Sequence, residues 1–276
     1  MPELPEVETV CRGLLRHLRG RTFIRVKLHR SALRLPLPID FADRLVGRRV
    51  EHIGRRGKYI LVNLDDGTVI IAHLGMSGRM MIHNIPYAAS SPHDHVVFHF
   101  DDDSTVVFND TRRFGLLTLA LTGELDHHPL LARLGPEPLD STFSADVLAN
   151  SLAGKRTPIK SALLDQRVVA GLGNIYACES LYRARLSPRR LAESVIGLRV
   201  RGLAIALREV LSEAIAAGGS SLKDYLQASG ELGYFQHRFA VYGREGRPCP
   251  ECKCAGGVRR IIQSGRPTFY CPHRQR

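Results

Sequence analysis

The chain opens Met1-Pro-Glu-Leu-Pro-Glu-Val-Glu8. An initiator Met followed by Pro is a pair that cells normally trim, and trimming leaves Pro2 with a free secondary amine. An α-amino group titrates near 8, so roughly a tenth is neutral at pH 7, against about 0.1% or less for a lysine. Such an amine is a nucleophile without special tuning. Its attack on a sugar or aldehyde carbon gives an iminium that stays cationic and acts as an electron sink. Glu3, one residue away, supplies an acid. The same two residues also read as a plain helix start, with Pro2 opening a turn and Glu3 capping it, so the rest of the chain has to decide.

Cysteines offer a second chemistry. Cys249-Pro-Glu-Cys252, then 18 residues, then Cys271 comes close to the paired-knuckle spacing of a zinc ribbon. Structural zinc wants four ligands in a closed tetrahedron. The spacing calls for the fourth at position 274, where Arg274 stands. His273, one residue short, and Cys254 are the two candidates to replace it. Cys11 and Cys178 fall in helical patterns and read as buried thiols.

Other residues fit contacts to a long polyanion. Val168-Val-Ala-Gly-Leu-Gly-Asn-Ile-Tyr176 puts two glycines in a tight turn before Asn174, whose helix N-terminus can hold a phosphate. Lys155, Arg156 and Lys160 precede the first helix of that pair, so it reads as a helix–turn–helix variant on a DNA backbone. Met76 in a glycine-flanked turn and Arg112-Arg-Phe114 offer apolar and cationic tips suited to wedging a base stack. Lys58 follows a turn and by default is a solvated strand end. Arg266, between the cysteine knuckles, is by default a surface turn residue. His93, His95 and His99 form a short histidine patch with no carboxylate spacing to support a metal.

These residues need elements to position them. Residues 5–19 carry Val7, Val10, Cys11, Leu14, Leu15 and Leu18 at helical spacing. From about 22 to 120 the texture changes to short strands. The run 59–64, a turn at 65–67 and the run 68–72 form a hairpin pattern; 95–100 and 105–108 repeat it. Several such strands predict a two-layer β-sandwich. Leu134-Gly-Pro-Glu-Pro-Leu139 is a linker-like break. Helical patterns follow at 143–152, 158–168, 174–186, 191–217 and 221–228, and residues 235–276 return to short strands around the cysteines.

Of the 276 residues, 44% are hydrophobic, enough for a buried core, and no run approaches the length of a membrane span. The formal net charge is +12, from 39 basic and 27 acidic residues. That balance favours a nucleic acid partner over an anionic membrane. Eight Lys/Arg face two acids in residues 155–190, and nine face two in residues 238–276, which predicts two contacts on one long ligand.

Nine short motifs then line up in order. They are Pro2-Glu-Leu-Pro-Glu-Val-Glu8, Arg56-Gly-Lys58-Tyr59, His73-Leu-Gly-Met-Ser-Gly78, His93-Asp-His95, Arg112-Arg-Phe-Gly115, Leu134-Gly-Pro-Glu-Pro138, Gly171-Leu-Gly-Asn-Ile-Tyr-Ala177, Tyr242-Gly-Arg244 and Thr268-Phe-Tyr-Cys271. With them the chain resembles the bacterial formamidopyrimidine-DNA glycosylase family over nearly its full length. The related endonuclease VIII branch, for oxidised pyrimidines, shares the Pro-Glu start but usually differs in Leu4 and in the 73–78 stretch. A non-catalytic DNA-binding protein is the other alternative, and the occupied catalytic positions argue against it.

The resemblance implies an α+β multidomain fold: an N-terminal helix with a two-layer β-sandwich (1–134), a helical helix-two-turns-helix domain (135–234) and a C-terminal zinc-finger-type β-hairpin (235–276). It implies a base-excision repair enzyme that flips oxidised purines, chiefly 8-oxoguanine and formamidopyrimidines, out of damaged double-stranded DNA. In that scheme Pro2 is the nucleophile at the sugar C1′ and Glu3 the acid. Lys58 assists β-elimination and contacts phosphate, and Arg266 serves δ-elimination. His93, Arg112, Lys155 and Asn174 match backbone contacts. Met76, Arg112 and Phe114 match the trio that fills the void, and Lys223 lies in the loop that closes over the lesion. One structural zinc, on Cys249, Cys252, Cys271 and either His273 or Cys254, is expected. The expected enzyme is a cytoplasmic monomer, drawn to the nucleoid by DNA and making no membrane contact.

Overall fold

The computed structural model describes residues 1–85, 87, 91–221, 228, 230–252 and 256–276. The chain divides into two compact units. The first is Met1–Ala132 with Ala217–Tyr234, and the second Arg133–Ala216 with Phe235–Arg276.

The first unit begins with α1 (Leu4–Leu18), which buries Val7, Val10, Cys11, Leu14 and Leu18 and turns Arg12 and Arg16 to solvent. Eight strands follow: β1 (Phe23–Leu28), β2 (Val50–Arg56), β3 (Tyr59–Leu64), β4 (Thr68–His73), β5 (Arg79–His83), β6 (Asp94–Phe100), β7 (Thr105–Asn109) and β8 (Leu116–Leu121). They form two four-stranded antiparallel sheets, ordered β1-β6-β7-β5 and β2-β3-β4-β8. Strand β3 turns Ile60, Val62 and Leu64 inward at period two, as a half-buried strand must. Phe23, Phe98 and Phe100 meet these residues in the core, with the Phe23 and Phe100 ring centroids 4.6 Å apart. A short helix, α2 (Phe41–Leu45), drops the fully buried Phe41 onto the same core. Sequence periodicity does not register so short a helix, because five residues carry one apolar face too brief to repeat.

The second unit holds α3 (Ala145–Leu152), α4 (Ile159–Leu164), α5 (Asn174–Arg183), α6 (Leu198–Ala216) and a hairpin of β9 (Arg259–Gln263) and β10 (Arg266–Tyr270). Ser144 caps α3, its hydroxyl accepting the Val147 N–H at 3.2 Å. Helix α5 is buried from Ile175 through Tyr182, with no solvent face to read as amphipathic. Helices α4 and α6 are the most shortened relative to their sequence patterns. α4 stops at Leu164, where the Asp165 carbonyl turns to accept the Val168 N–H. The 191–217 pattern holds a 3-10 turn at Ala192–Ser194, then Gly197 at φ 58°, and only then α6. The 221–228 pattern lies mostly outside the described residues. Among the described residues, no helix is long and apolar enough to cross a membrane.

Candidate active site and metal centre

At the start of α1, Pro2 and Glu3 are both buried, Glu3 to 4% exposure. Glu3 is extended (φ −103°, ψ −173°) and forms a capping box with Glu6, while Pro5 sits in the first turn, where its missing N–H costs nothing. One oxygen of Glu6 accepts the Glu3 N–H at 2.9 Å and the other accepts the Ser220 N–H at 2.8 Å. A single carboxylate thus fixes the backbone of residue 3 and the entry to the segment that contains Lys223, itself outside the described residues.

The β2–β3 turn that carries Lys58 is tied to the same helix. Arg55 donates to the Glu8 carboxylate of α1 at 3.1 Å and to the Gly57 carbonyl at 2.9 Å, immediately before Lys58. Gly57 has φ 58°, a left-handed turn that suits glycine. Lys58 is only 7% exposed and is not the solvated strand end that its position suggests. Its charge also reaches His73. Burial first, then Lys58 and Arg34, push the His73 imidazole down to about 4. His73 is therefore neutral at pH 7, and its Nδ1 accepts the Gly75 N–H at 2.9 Å. A buried lysine, a buried acid and a depressed histidine in one unit have the electrostatic character of a functional site.

Met76, His93, Arg112 and Phe114 meet around one buried residue, Asp110. One oxygen of Asp110 accepts the Ser77 hydroxyl at 2.6 Å and the Arg112 N–H at 3.2 Å; the other accepts the Gly115 N–H at 2.7 Å. Its own N–H donates to the His93 carbonyl at 3.0 Å, and its carbonyl lies 2.7 Å from His95 Nε2. A Cβ on Gly75 would come within 2.4 Å of the Phe114 carbonyl carbon, so the 74–78 turn and the 112–115 loop pack backbone to backbone. Met76 and Phe114 remain 37% and 47% exposed, with Arg112 5.0 Å from the Phe114 ring centroid. Two exposed apolar tips thus stand on a tightly hydrogen-bonded base.

In the second unit, Asn174 opens α5 and donates its Nδ2 to the Pro267 carbonyl at 2.9 Å, beside Arg266. This bond brings the helix N-terminus and the hairpin together. Gln166 braces the turn before α5, accepting the Gly171 N–H at 2.9 Å and donating to the Leu172 carbonyl at 2.8 Å. Arg266 is exposed at the hairpin tip, after Ser264 and Gly265 at φ 48° and 70°. Lys155 is half-buried before α4. Lys160, grouped with it in the sequence, is instead fully buried within α4 and is no surface contact of this unit. The four-residue spacing around it does not distinguish an inward lysine from an outward one.

The sulfur atoms of Cys249, Cys252 and Cys271 lie within 4.8 Å of one another, a donor set that fits a thiophilic metal ion. Burial works to raise the Cys249 thiol. Hydrogen bonds from the Tyr182 hydroxyl, from the Glu251 and Cys252 N–H groups and from the Cys252 side chain outweigh it and bring the thiol down to about 7. His273 is exposed and does not join the three sulfurs; Cys254 lies outside the described residues. Cys11 and Cys178 are buried thiols outside any disulfide, as their helical positions suggest.

Four residues stand out in the structure that spacing alone left unmarked: Glu6, Glu8, Asp110 and Glu179. The buried Glu179 carboxylate accepts the N–H groups of Ala240, Val241 and Tyr242 at 2.8–3.0 Å. Glu6, Asp110 and Glu179 are marked by being acidic yet buried, and Glu8 by its ion pair with the buried Arg55, signals that appear only once burial is known.

Residues 1–117 match the formamidopyrimidine-DNA glycosylase N-terminal domain and residues 134–225 the formamidopyrimidine-DNA glycosylase H2TH domain. The formamidopyrimidine-DNA glycosylase of Rhodospirillum centenum is 57% identical over all of both chains. The chain belongs to the formamidopyrimidine-DNA glycosylase family. The MutM (Fpg) protein of Thermus thermophilus superimposes with a TM-score of 0.87 at 44% identity, over 99% of this chain and 98% of that one. A Lactococcus lactis Fpg variant in complex with Fapy-dG-containing DNA gives 0.90 at 33% identity over the whole of both chains. The chain is a DNA-binding glycosylase and AP lyase of base-excision repair, as the family is.

Proposed function

We propose that the enzyme excises oxidised purines, 8-oxoguanine and formamidopyrimidines, from damaged double-stranded DNA and then cuts the strand at both sides of the abasic sugar. The observation that carries this reading is the N-terminus itself. Pro2 is the residue uncovered by loss of Met1, and the buried Glu3 beside it is locked in place by Glu6.

The chemistry follows from the residues. The Pro2 nitrogen bonds to C1′ as the base leaves with the glycosidic electron pair and a proton. Glu3 gives a proton to the sugar ring oxygen as the ring opens, leaving an iminium. Electron withdrawal by that cation acidifies the C2′ proton. Its loss expels the 3′ phosphate, with Lys58 assisting and holding phosphate. A second elimination, served by Arg266, expels the 5′ phosphate, and water then releases Pro2. Met76, Arg112 and Phe114 fill the void left by the extruded nucleotide, and the tightly hydrogen-bonded base beneath them supports that role. His93, Arg112, Lys155 and Asn174 hold backbone phosphates, and Lys223 belongs to the loop over the lesion.

The metal is zinc, held by Cys249, Cys252 and Cys271 with Cys254 or His273 completing the set; the exposure of His273 favours Cys254. Bound there it supplies structural cross-linking and no catalysis. The protein works as a cytoplasmic monomer without a membrane partner, in three domains: 1–134, 135–234 and 235–276.

Borohydride trapping on an 8-oxoguanine duplex tests the central claim. The mature protein should form a stable covalent adduct, and Pro2→Gly or an N-terminal extension should abolish or cripple it. Trapping that survives a blocked N-terminus refutes the Pro2 assignment.

A further inference from the structure

Arg274 stands where the finger's spacing calls for a fourth cysteine. A guanidinium has no acceptor lone pair and cannot ligate a metal. It does something else. Its Nη1 lies 2.5 Å from the carboxylate of Glu251, inside the first knuckle, although Arg274 belongs to the second. Its Cζ sits 5.1 Å from the ring centroid of Tyr182 on α5, and the Tyr182 hydroxyl is 3.0 Å from the Cys249 sulfur. The Arg274 N–H points at the Cys271 sulfur, 3.4 Å away. The side chain is mostly buried, at 14% exposure. Next to it, Gln275 accepts the Cys271 N–H at 2.8 Å and donates to the Leu186 carbonyl at 2.9 Å.

The mechanical role of a fourth metal ligand is to tie the second knuckle to the first. Here an ion pair and a cation–π contact make that same connection, and add a tie to α5, without using the metal. The charges agree. With Cys254 as fourth ligand, four thiolates around a divalent ion carry two net negative charges, one of which the guanidinium offsets; without metal, Arg274 still has Glu251.

We propose that Arg274, Glu251 and Tyr182 form a strap that takes over the fourth ligand's mechanical role, so that the β9–β10 hairpin stays assembled when the metal is removed. The proposal rests on the reading of the cysteines as a zinc site.

The test uses full-length wild type, Arg274→Ala, Glu251→Gln and Arg274→Cys, each before and after treatment with a strong zinc chelator. Hairpin integrity is followed by the methyl NMR signals of Ile261 and Ile262, and affinity is measured for a duplex carrying an abasic-site analogue. Wild type should keep its hairpin signals and an affinity within about threefold after chelation, because the metal no longer carries all of the folding energy of the hairpin. Arg274→Ala and Glu251→Gln should hold the hairpin only while metal is bound, losing about tenfold or more in affinity on chelation. Arg274→Cys, with a thiol at the ribbon's usual fourth position and no strap, should behave likewise. A wild-type hairpin that melts on chelation as readily as Arg274→Ala overturns the strap. Zinc content by elemental analysis reports separately on the metal reading. If wild type carries none, that reading fails, and an intact wild-type hairpin beside a melted Arg274→Ala hairpin still upholds the strap, while two equally intact hairpins overturn it.

Discussion

Glu3 holds two jobs that act on different atoms. Its backbone N–H is fixed by Glu6, while its carboxyl belongs to the helix cap and, in the proposed reaction, to the opening sugar. Glu3→Gln keeps the shape and loses the transferable proton. Single-turnover excision of 8-oxoguanine should fall on the order of 10²–10⁴-fold, with duplex affinity little changed. His73 gives a pH signature. Its folded pKa of about 4 lies below its ordinary 6.5, so the unfolded chain binds the extra proton first. Stability should therefore fall as pH drops from 6.5 toward 4 and stay flat, for this group, above that window. Urea midpoints across that range should show the slope in wild type and a shallower one in His73→Gln. Pro2 and Glu3 could be singled out as candidates from the sequence only with the rest of the chain, since a Pro-Glu start reads equally as a helix start. Their burial was not legible, because it depends on Glu6 and Arg55 finding partners 214 and 47 residues away.

At the scale of elements, the 74–78 turn and the 112–115 loop depend on Asp110. Asp110→Ala removes the acceptor for two N–H groups and a hydroxyl, at a cost of about 1–3 kcal/mol for the donors left buried. Chemical denaturation should show that loss. Excision from a lesion duplex should weaken more than cleavage of a preformed abasic site, which needs less help in leaving the stack. The strands and α1 were readable because alternating or helical burial imprints a period: β3 and the buried stripe of α1 show it directly. α5 escaped that logic, being buried on every side, and was found through its glycines and Asn174 instead. The true ends of α4 and α6 were invisible to periodicity, since Asp165 and Gly197 stop a helix through backbone geometry without interrupting the apolar pattern. Lys160 misled for a related reason: spacing assigns a face, and burial decides which way that face looks.

Over the whole molecule, a charge of +12 predicts strong salt dependence of binding. Each phosphate neutralised adds about 0.9 to the slope of log affinity against log salt, so Lys155→Ala should reduce that slope by about one without changing lesion preference. Fluorescence anisotropy at several salt concentrations measures it. Composition foretold the polyanionic partner, but it is silent on the path of the chain through its two units. The first unit is assembled from residues 1–132 and 217–234, and Glu6 accepts the Ser220 N–H. On a ribosome adding about 5–20 residues per second, position 220 follows position 6 by roughly 10–40 seconds. The N-terminal residues are thus made long before the segment that closes around them. In the proposed reaction, the newborn chain therefore carries its nucleophile through most of its synthesis without a finished place to use it.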